Sequence, residues 1–257
     1  MPRRTRPKID RSASPSVPLT RREEAASAPR IGGGELRGRR LEFIPDARTR
    51  PMKDRVRESL FDLLGTDVKG ALAIDLFAGS GAIGFEAVSR GALRAIFVER
   101  HFPTAAILRR SGESLGIQEK IDVRTGDVLL WAKCMPQLPT SSPWIVFISP
   151  PWSFFSERWD DLASLIEAMR LAAPVGSTLV VEADTTFDPE ALPNREAWET
   201  RPIPPAVLYF HREPHRENSA KPAVGDEASR RRRSIDLKHP SHVLDSGLAA
   251  RAIRDAR

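Results

Sequence analysis

Asp75-Leu76-Phe77-Ala78-Gly79-Ser80-Gly81-Ala82-Ile83-Gly84 decides the fold. The apolar run from Ala71 enters it as a buried strand. Glycines at 79, 81 and 84 then let the chain turn tightly and bring its backbone close to a ligand. The helix that follows offers unpaired N–H groups to an anion. Outward from this loop, strand candidates recur at 71–76, 94–99, 120–125, 144–148 and 177–183, with helical stretches between most of them. Alternation of this kind predicts an α/β chain with a Rossmann-like, doubly wound, mostly parallel sheet and helices on both faces. Arg201 to Pro205 interrupts the pattern, and Ala206 to Phe210 reads as a last strand, antiparallel to the others.

Gly79-x-Gly81-x-x-Gly84 also fits a dinucleotide site, with Glu99 as the acid on the ribose. Two details favour S-adenosylmethionine. Asp75 stands just before the loop, placed to receive an ammonium or to order water beneath the glycines, and it would repel a pyrophosphate. Glu99 ends the second strand and Asp127 the third, one suited to ribose hydroxyls and the other to the adenine amine. Helix or turn capping remains the alternative for Asp75 and Asp127. Phe77, Gly79, Gly81, Asp75, Glu99 and Asp127 are therefore the candidate cofactor residues.

The fourth strand, Trp144 to Ile148, ends in Ser149-Pro150-Pro151-Trp152. Paired prolines lack N–H groups and cannot continue a ladder, so the chain leaves the sheet in a stiff, open bend. In a parallel sheet that edge is where ligands bind. Ser149 Oγ and the Pro150 carbonyl can accept from the two protons of an exocyclic base amine, and Trp152 offers a ring face to a flipped-out base. An ordinary Pro-rich turn is the bland reading, and it weakens because this tetrapeptide follows the glycine loop and two acids in order. Ser149, Pro150, Pro151 and Trp152 are the candidate catalytic residues. Trp131, Trp159 and Trp198 read as packing residues, and His101, His211 and His215 show no partner in the sequence.

Charge is unevenly placed along the 257 residues, whose net is +6. Residues 1–30 hold 8 Lys/Arg against 3 Asp/Glu, and 211–257 hold 11 against 7, including Arg230 to Arg233. Both ends lack apolar clusters and read as basic disordered tails, 1–30 and 213–257. Between them, residues 31–65 form a small basic strand/helix extension and 66–212 the main domain. The extension carries a short strand or hairpin arm over Glu35 to Phe43. A helix after Pro51 then presents Val56, Leu60, Leu63 and Leu64 to a core and Lys53, Arg57 and Glu58 to solvent. Arg37, Arg39, Arg40, Arg50, Lys53, Arg55 and Arg57 make it a candidate nucleic-acid contact. A solvated charged face is the alternative.

Cys134, the single cysteine, excludes an internal disulfide and a thiolate metal cluster, and no metal site is expected. No apolar stretch reaches the length of a membrane span, so no membrane partner and a cytoplasmic location are expected.

From about Arg30 to Arg212 the chain resembles the RsmD-type 16S rRNA guanine-N2 methyltransferases. The resemblance rests on Arg37-Gly38-Arg39-Arg40-Leu41, on Arg50-Pro51 with Asp54 to Phe61, and on Asp75 to Gly84 continuing to Ala92. It implies methyl transfer from S-adenosylmethionine to guanine N2 of 16S rRNA, free or within a 30S subunit or assembly intermediate, by a monomer whose basic segment contacts RNA. That family usually has Asp before Pro-Pro and Phe or Tyr after it, where this chain has Ser149 and Trp152. Ser-Pro-Pro-Trp is familiar from DNA cytosine-N4 amino-methyltransferases. DNA amino methylation and an inactive rRNA-binding or assembly factor are thus the competing readings.

Overall fold

The computed structural model describes residues 28–44, 52–133 and 138–213. Arg50, Pro51, Cys134, His215 and nearly all of both basic tails lie outside these. Within them the alternating sequence pattern becomes one sheet. Its strands are β1 (Leu72–Asp75), β2 (Arg94–Glu99), β3 (Ile121–Thr125), β4 (Trp144–Ile148), β5 (Thr178–Asp184), β6 (Trp198–Ile203) and β7 (Ala206–Arg212). Spatial order is β3-β2-β1-β4-β5-β7-β6. The first five strands are parallel, while β7 runs antiparallel to β5 and β6 antiparallel to β7. Chain order reverses between β1 and β4. A crevice opens at such a switch point, at the strands' carboxyl ends.

Side chains alternate across the sheet and feed two apolar layers. Ala73, Phe97, Ile145, Phe147, Val180 and Leu208 pack with helices α1 (Asp54–Leu64), α2 (Ala82–Ser89) and α3 (Phe102–Leu115) on one face. Leu72, Ile74, Val146, Ile148 and Val181 pack on the other with α4 (Val128–Lys133) and α6 (Trp159–Ala172), and with Phe154 of the short α5 (Phe154–Glu157). Phe61 of α1 meets Phe147 of β4 at 6.0 Å between ring centroids. Burial of each such side chain stabilises the fold by roughly 1.5–3 kcal/mol. Gly84 lets α2 lie close on β2, since a Cβ there would stand 2.3 Å from Phe97 Cε1.

Two sequence expectations need correction, and a third is narrowed. First, residues 201–203 do not interrupt the sheet but belong to β6. Pro202 is tolerated because β6 is an edge strand, pairing only with β7.

Second, of the two forms expected for Glu35 to Phe43, the hairpin arm holds and the regular strand does not: Ile31 N donates to Arg39 O and Leu41 N to Pro29 O, both at 3.0 Å. Turns fill residues 33–38, and the only bridge there joins Arg30 and Arg40. Two N–H groups of the turn go to the end of α2, with Glu35 N 2.8 Å from Ser89 O and Leu36 N 2.9 Å from Ser89 Oγ. Gly34 makes that docking possible, with a φ of +78° and a position where a Cβ would lie 1.9 Å from Ser89 O.

Third, Arg57 does not face solvent. It lies at helical spacing from Phe61 and Leu64, on the buried stripe. Nε donates to Glu86 at 2.8 Å, and Nη2 donates to Asp54 at 2.9 Å and to the Arg30 carbonyl at 2.7 Å. Arg90 closes the far side of Glu86 at 2.8 Å. Burying a carboxylate costs several kcal/mol unless it is paired, and two guanidiniums supply that pairing here.

Candidate active site

A cavity of about 970 Å³ fills the crevice beyond β1 and β4. Of the sequence candidates, Phe77, Gly79, Glu99, Asp127, Ser149, Pro150, Pro151 and Trp152 all line it, although they come from four strand ends. Asp75 and Gly81 are not in the lining; they stand behind the loop and shape it. Gly81 begins α2 at a φ of +74°, and a Cβ would meet Leu108 Cδ2 at 2.5 Å and Phe85 Cε2 at 2.8 Å. Only glycine fits that position without strain.

Asp75 is 1% exposed, and Oδ2 accepts from Gly84 N at 3.3 Å while Oδ1 has no hydrogen-bond partner among the described residues. Burial pushes its carboxyl up to about 7, partly opposed by the Gly84 N–H and reinforced by the charge of Glu99. Glu99 accepts from Gly79 N and from His101 N, both at 2.8 Å, so its carboxylate ties the glycine loop to the start of α3. It stays partly exposed in the cavity with lone pairs to spare. Asp127 caps α4 through Leu129 N at 2.9 Å and also stands 3.8 Å from Arg158 Nη1. Capping and cavity lining therefore coexist in Asp127.

The opposite wall begins where β4 runs into the prolines. Trp152 is partly buried and packs against the α1–α2 core. Phe154 meets Phe77 edge to face at 6.0 Å, so the two walls touch through aromatic rings. Arg158 covers the other side of Phe154 at 5.4 Å.

Two further contributors were not legible in the sequence. Glu182 of β5 lines the cavity beside Ser149; burial pushes its carboxyl up, and the neighbouring Ser149 hydroxyl pulls it part of the way back. Pro205 and Ala206, from the turn between β6 and β7, also line the cavity. A Val-Val-Glu run carries no local motif. Its only signal is an acid one residue past the apolar stretch, in a strand that must neighbour β4.

The basic candidates separate. Lys53 lines the cavity, together with Met52 and Val56 at the start of α1. Arg37, Arg39, Arg40 and Arg55 are exposed, with Arg39 donating to the Ser114 carbonyl at 3.0 Å. Arg57 belongs to the buried network described above. His101 lines the cavity with Nδ1 2.8 Å from Thr104 Oγ1, and His211 is buried beside Trp198 and 3.7 Å from Glu213. Among the described residues no cluster of His, Cys, Asp or Glu could hold a metal ion.

A family model described as "Conserved hypothetical protein 95" matches residues 29–202. A Bacillus subtilis protein, YlbH, named as a candidate rRNA methyltransferase, is 31% identical over 155 residues, which is 60% of this chain and 82% of that protein. The chain belongs to the RsmD-type methyltransferase family. The Haemophilus influenzae protein named ribosomal RNA small subunit methyltransferase D is 35% identical over 126 residues, 49% of this chain and 64% of that one. Among solved structures, yhhF of Escherichia coli, described as a candidate methyltransferase, superposes with a TM-score of 0.59 at 26% identity, covering 73% of this chain and 98% of its own. The family match, residues 29–202, takes in β1 to β5, the glycine loop and Ser149 to Trp152.

Proposed function

We propose that this chain transfers a methyl group from S-adenosylmethionine to the N2 amine of a guanine in 16S rRNA. The observation that carries the reading is the single cavity joining Gly79, Glu99 and Asp127 to Ser149, Pro150 and Trp152. Its family relatives bear the name rRNA small subunit methyltransferase.

The cavity residues suit the cofactor. Glu99 keeps lone pairs for two ribose hydroxyls, Asp127 for an adenine amine, and the Gly79-Ser80-Gly81 backbone leaves room for the amino-acid end. Asp75 Oδ1, buried and unpartnered, serves as an acceptor beneath the loop for an ammonium or for water it orders. When bound, the cofactor supplies an electrophilic methyl on a sulfonium.

The remaining task is geometric. A guanine N2 amine is a weak nucleophile because its lone pair is delocalised into the ring. Ser149 Oγ and the Pro150 carbonyl accept from its two protons and aim the nitrogen, while Trp152 stacks on the extruded base. Lys53 at the rim is placed for a backbone phosphate. Exposed Arg37, Arg39, Arg40 and Arg55 extend that basic border.

Labelled cofactor offered with naked 16S rRNA, assembled 30S particles and DNA tests the reading. Label on guanine N2 of 16S rRNA is the expected result. Label confined to DNA overturns the substrate, and no label anywhere overturns the enzyme.

A further inference from the structure

Ser149 occupies the place where a carboxylate would accept directly from a base amine, and a hydroxyl alone is a poor proton acceptor at neutral pH. The missing carboxylate stands one strand away. β4 and β5 are parallel neighbours with Ile148 in register with Val181, so the next residue of each strand, Ser149 and Glu182, emerge side by side on the same face. Both line the cavity, and the neighbouring Ser149 hydroxyl pulls the buried Glu182 carboxyl part of the way back toward its ordinary range. Glu182 is 9% exposed, and no Lys or Arg holds it in an ion pair within hydrogen-bond reach among the described contacts. Asp75 on β1 is a nearby like charge, and Lys53 and Arg100, with the titratable His101, line the same cavity.

The geometry points to a Ser149–Glu182 relay that accepts the proton released by the methylated amine, so that Glu182 restores through the serine the carboxylate absent from position 149. This rests on the amine-methylation reading. In the transfer the amine nitrogen forms a bond to the methyl carbon as the carbon–sulfur bond breaks, leaving a neutral thioether and a surplus proton on nitrogen. That proton passes to Ser149 Oγ as the serine's own passes to the Glu182 carboxylate. Glu182, now neutral, later releases it to water. Burial favours the neutral acid, which makes Glu182 a stronger base than an exposed carboxylate.

Steady-state kinetics on whichever RNA substrate accepts label, with cofactor affinity measured by calorimetry, test the relay. Glu182→Gln keeps the shape and removes the base; kcat should fall about 100-fold with KM for RNA and cofactor affinity unchanged. Ser149→Ala should lose a similar factor, and the double variant little more than either, because the two act as one unit. In a Ser149→Asp background the amine meets a carboxylate directly, so adding Glu182→Gln should leave kcat unchanged or raise it by relieving like charge. Should Glu182→Gln alone fail to fold, the comparison of Ser149→Asp with Ser149→Asp/Glu182→Gln still decides. An unchanged kcat in Glu182→Gln, or an equal loss in the wild-type and Ser149→Asp backgrounds, overturns the relay alone. Absence of transfer by the wild-type protein sinks the methylation reading and the relay with it.

Discussion

Two buried clusters of charge sit on the same face of this sheet and are built on opposite principles. Beneath the N-terminal segment, Glu86 lies between Arg57 and Arg90, and Arg57 reaches on to Asp54 and the Arg30 carbonyl. Beneath the cavity, Asp75 and Glu182 are carboxyls with no ion pair among the described residues, and both are pushed toward the neutral form by burial. The first arrangement is what holds a segment of poor regular structure against a helix. The second costs stability, and such a cost is characteristic of groups arranged for chemistry. One cluster fixes the fold, and the other is retained at its expense.

Breaking the paired cluster should have the largest effect. Glu86→Ala leaves Arg57 buried without its main partner and should destabilise the protein by about 3–5 kcal/mol, read from the denaturant midpoint. A loss within 1 kcal/mol would mean that the N-terminal segment is held by its apolar contacts instead.

At the cavity floor the sign reverses. The folded value of Asp75 lies well above its ordinary 3.8. Between about pH 4 and 7 the native state therefore holds a proton that the unfolded chain has released. Stability from this group is fully present below that window and is lost as pH rises through it. Asp75→Asn should then be more stable than wild type at pH 8, by up to about 4 kcal/mol, with the difference vanishing near pH 4. The same variant should bind S-adenosylmethionine more weakly. A variant less stable at both pH values would place Asp75 with the structural cluster.

Smaller effects separate the cavity's two substrates. Trp152→Ala should weaken RNA binding by about 1–3 kcal/mol, the usual worth of a base stacked on an aromatic ring, and leave cofactor affinity unchanged by calorimetry. Lys53→Ala should weaken RNA binding only a few-fold and reduce the slope of log K against log salt by about 1, without base preference. Equal weakening of cofactor binding by Lys53→Ala would assign that cation to the other half of the cavity.

Much of this was legible along the chain because it is written in local pattern. β2 and β4 begin and end where the apolar runs do, and β1, β3 and β5 differ by a residue or so. β6 was missed because Pro202 and Pro204-Pro205 look like a break, and only the sheet's edge position makes the first of them harmless. Arg57 was misplaced because a charged side chain was assigned to water, although its spacing from Phe61 and Leu64 put it on the core stripe. Glu182 was passed over for a different reason. Its neighbour Ser149 is 33 residues away in sequence, and nothing local marks an acid inside a buried strand as part of a site.

By itself the sequence determined the parallel sheet, the glycine turn, the proline-stiffened exit of β4 and the order of acids at three strand ends. Each of those follows from backbone sterics and from side-chain alternation within a few residues. Only the tertiary structure decided which charges are paired and which stand alone. That depends on strand register and helix docking, which set Arg57 against Glu86 and Ser149 beside Glu182 across gaps that no local pattern spans.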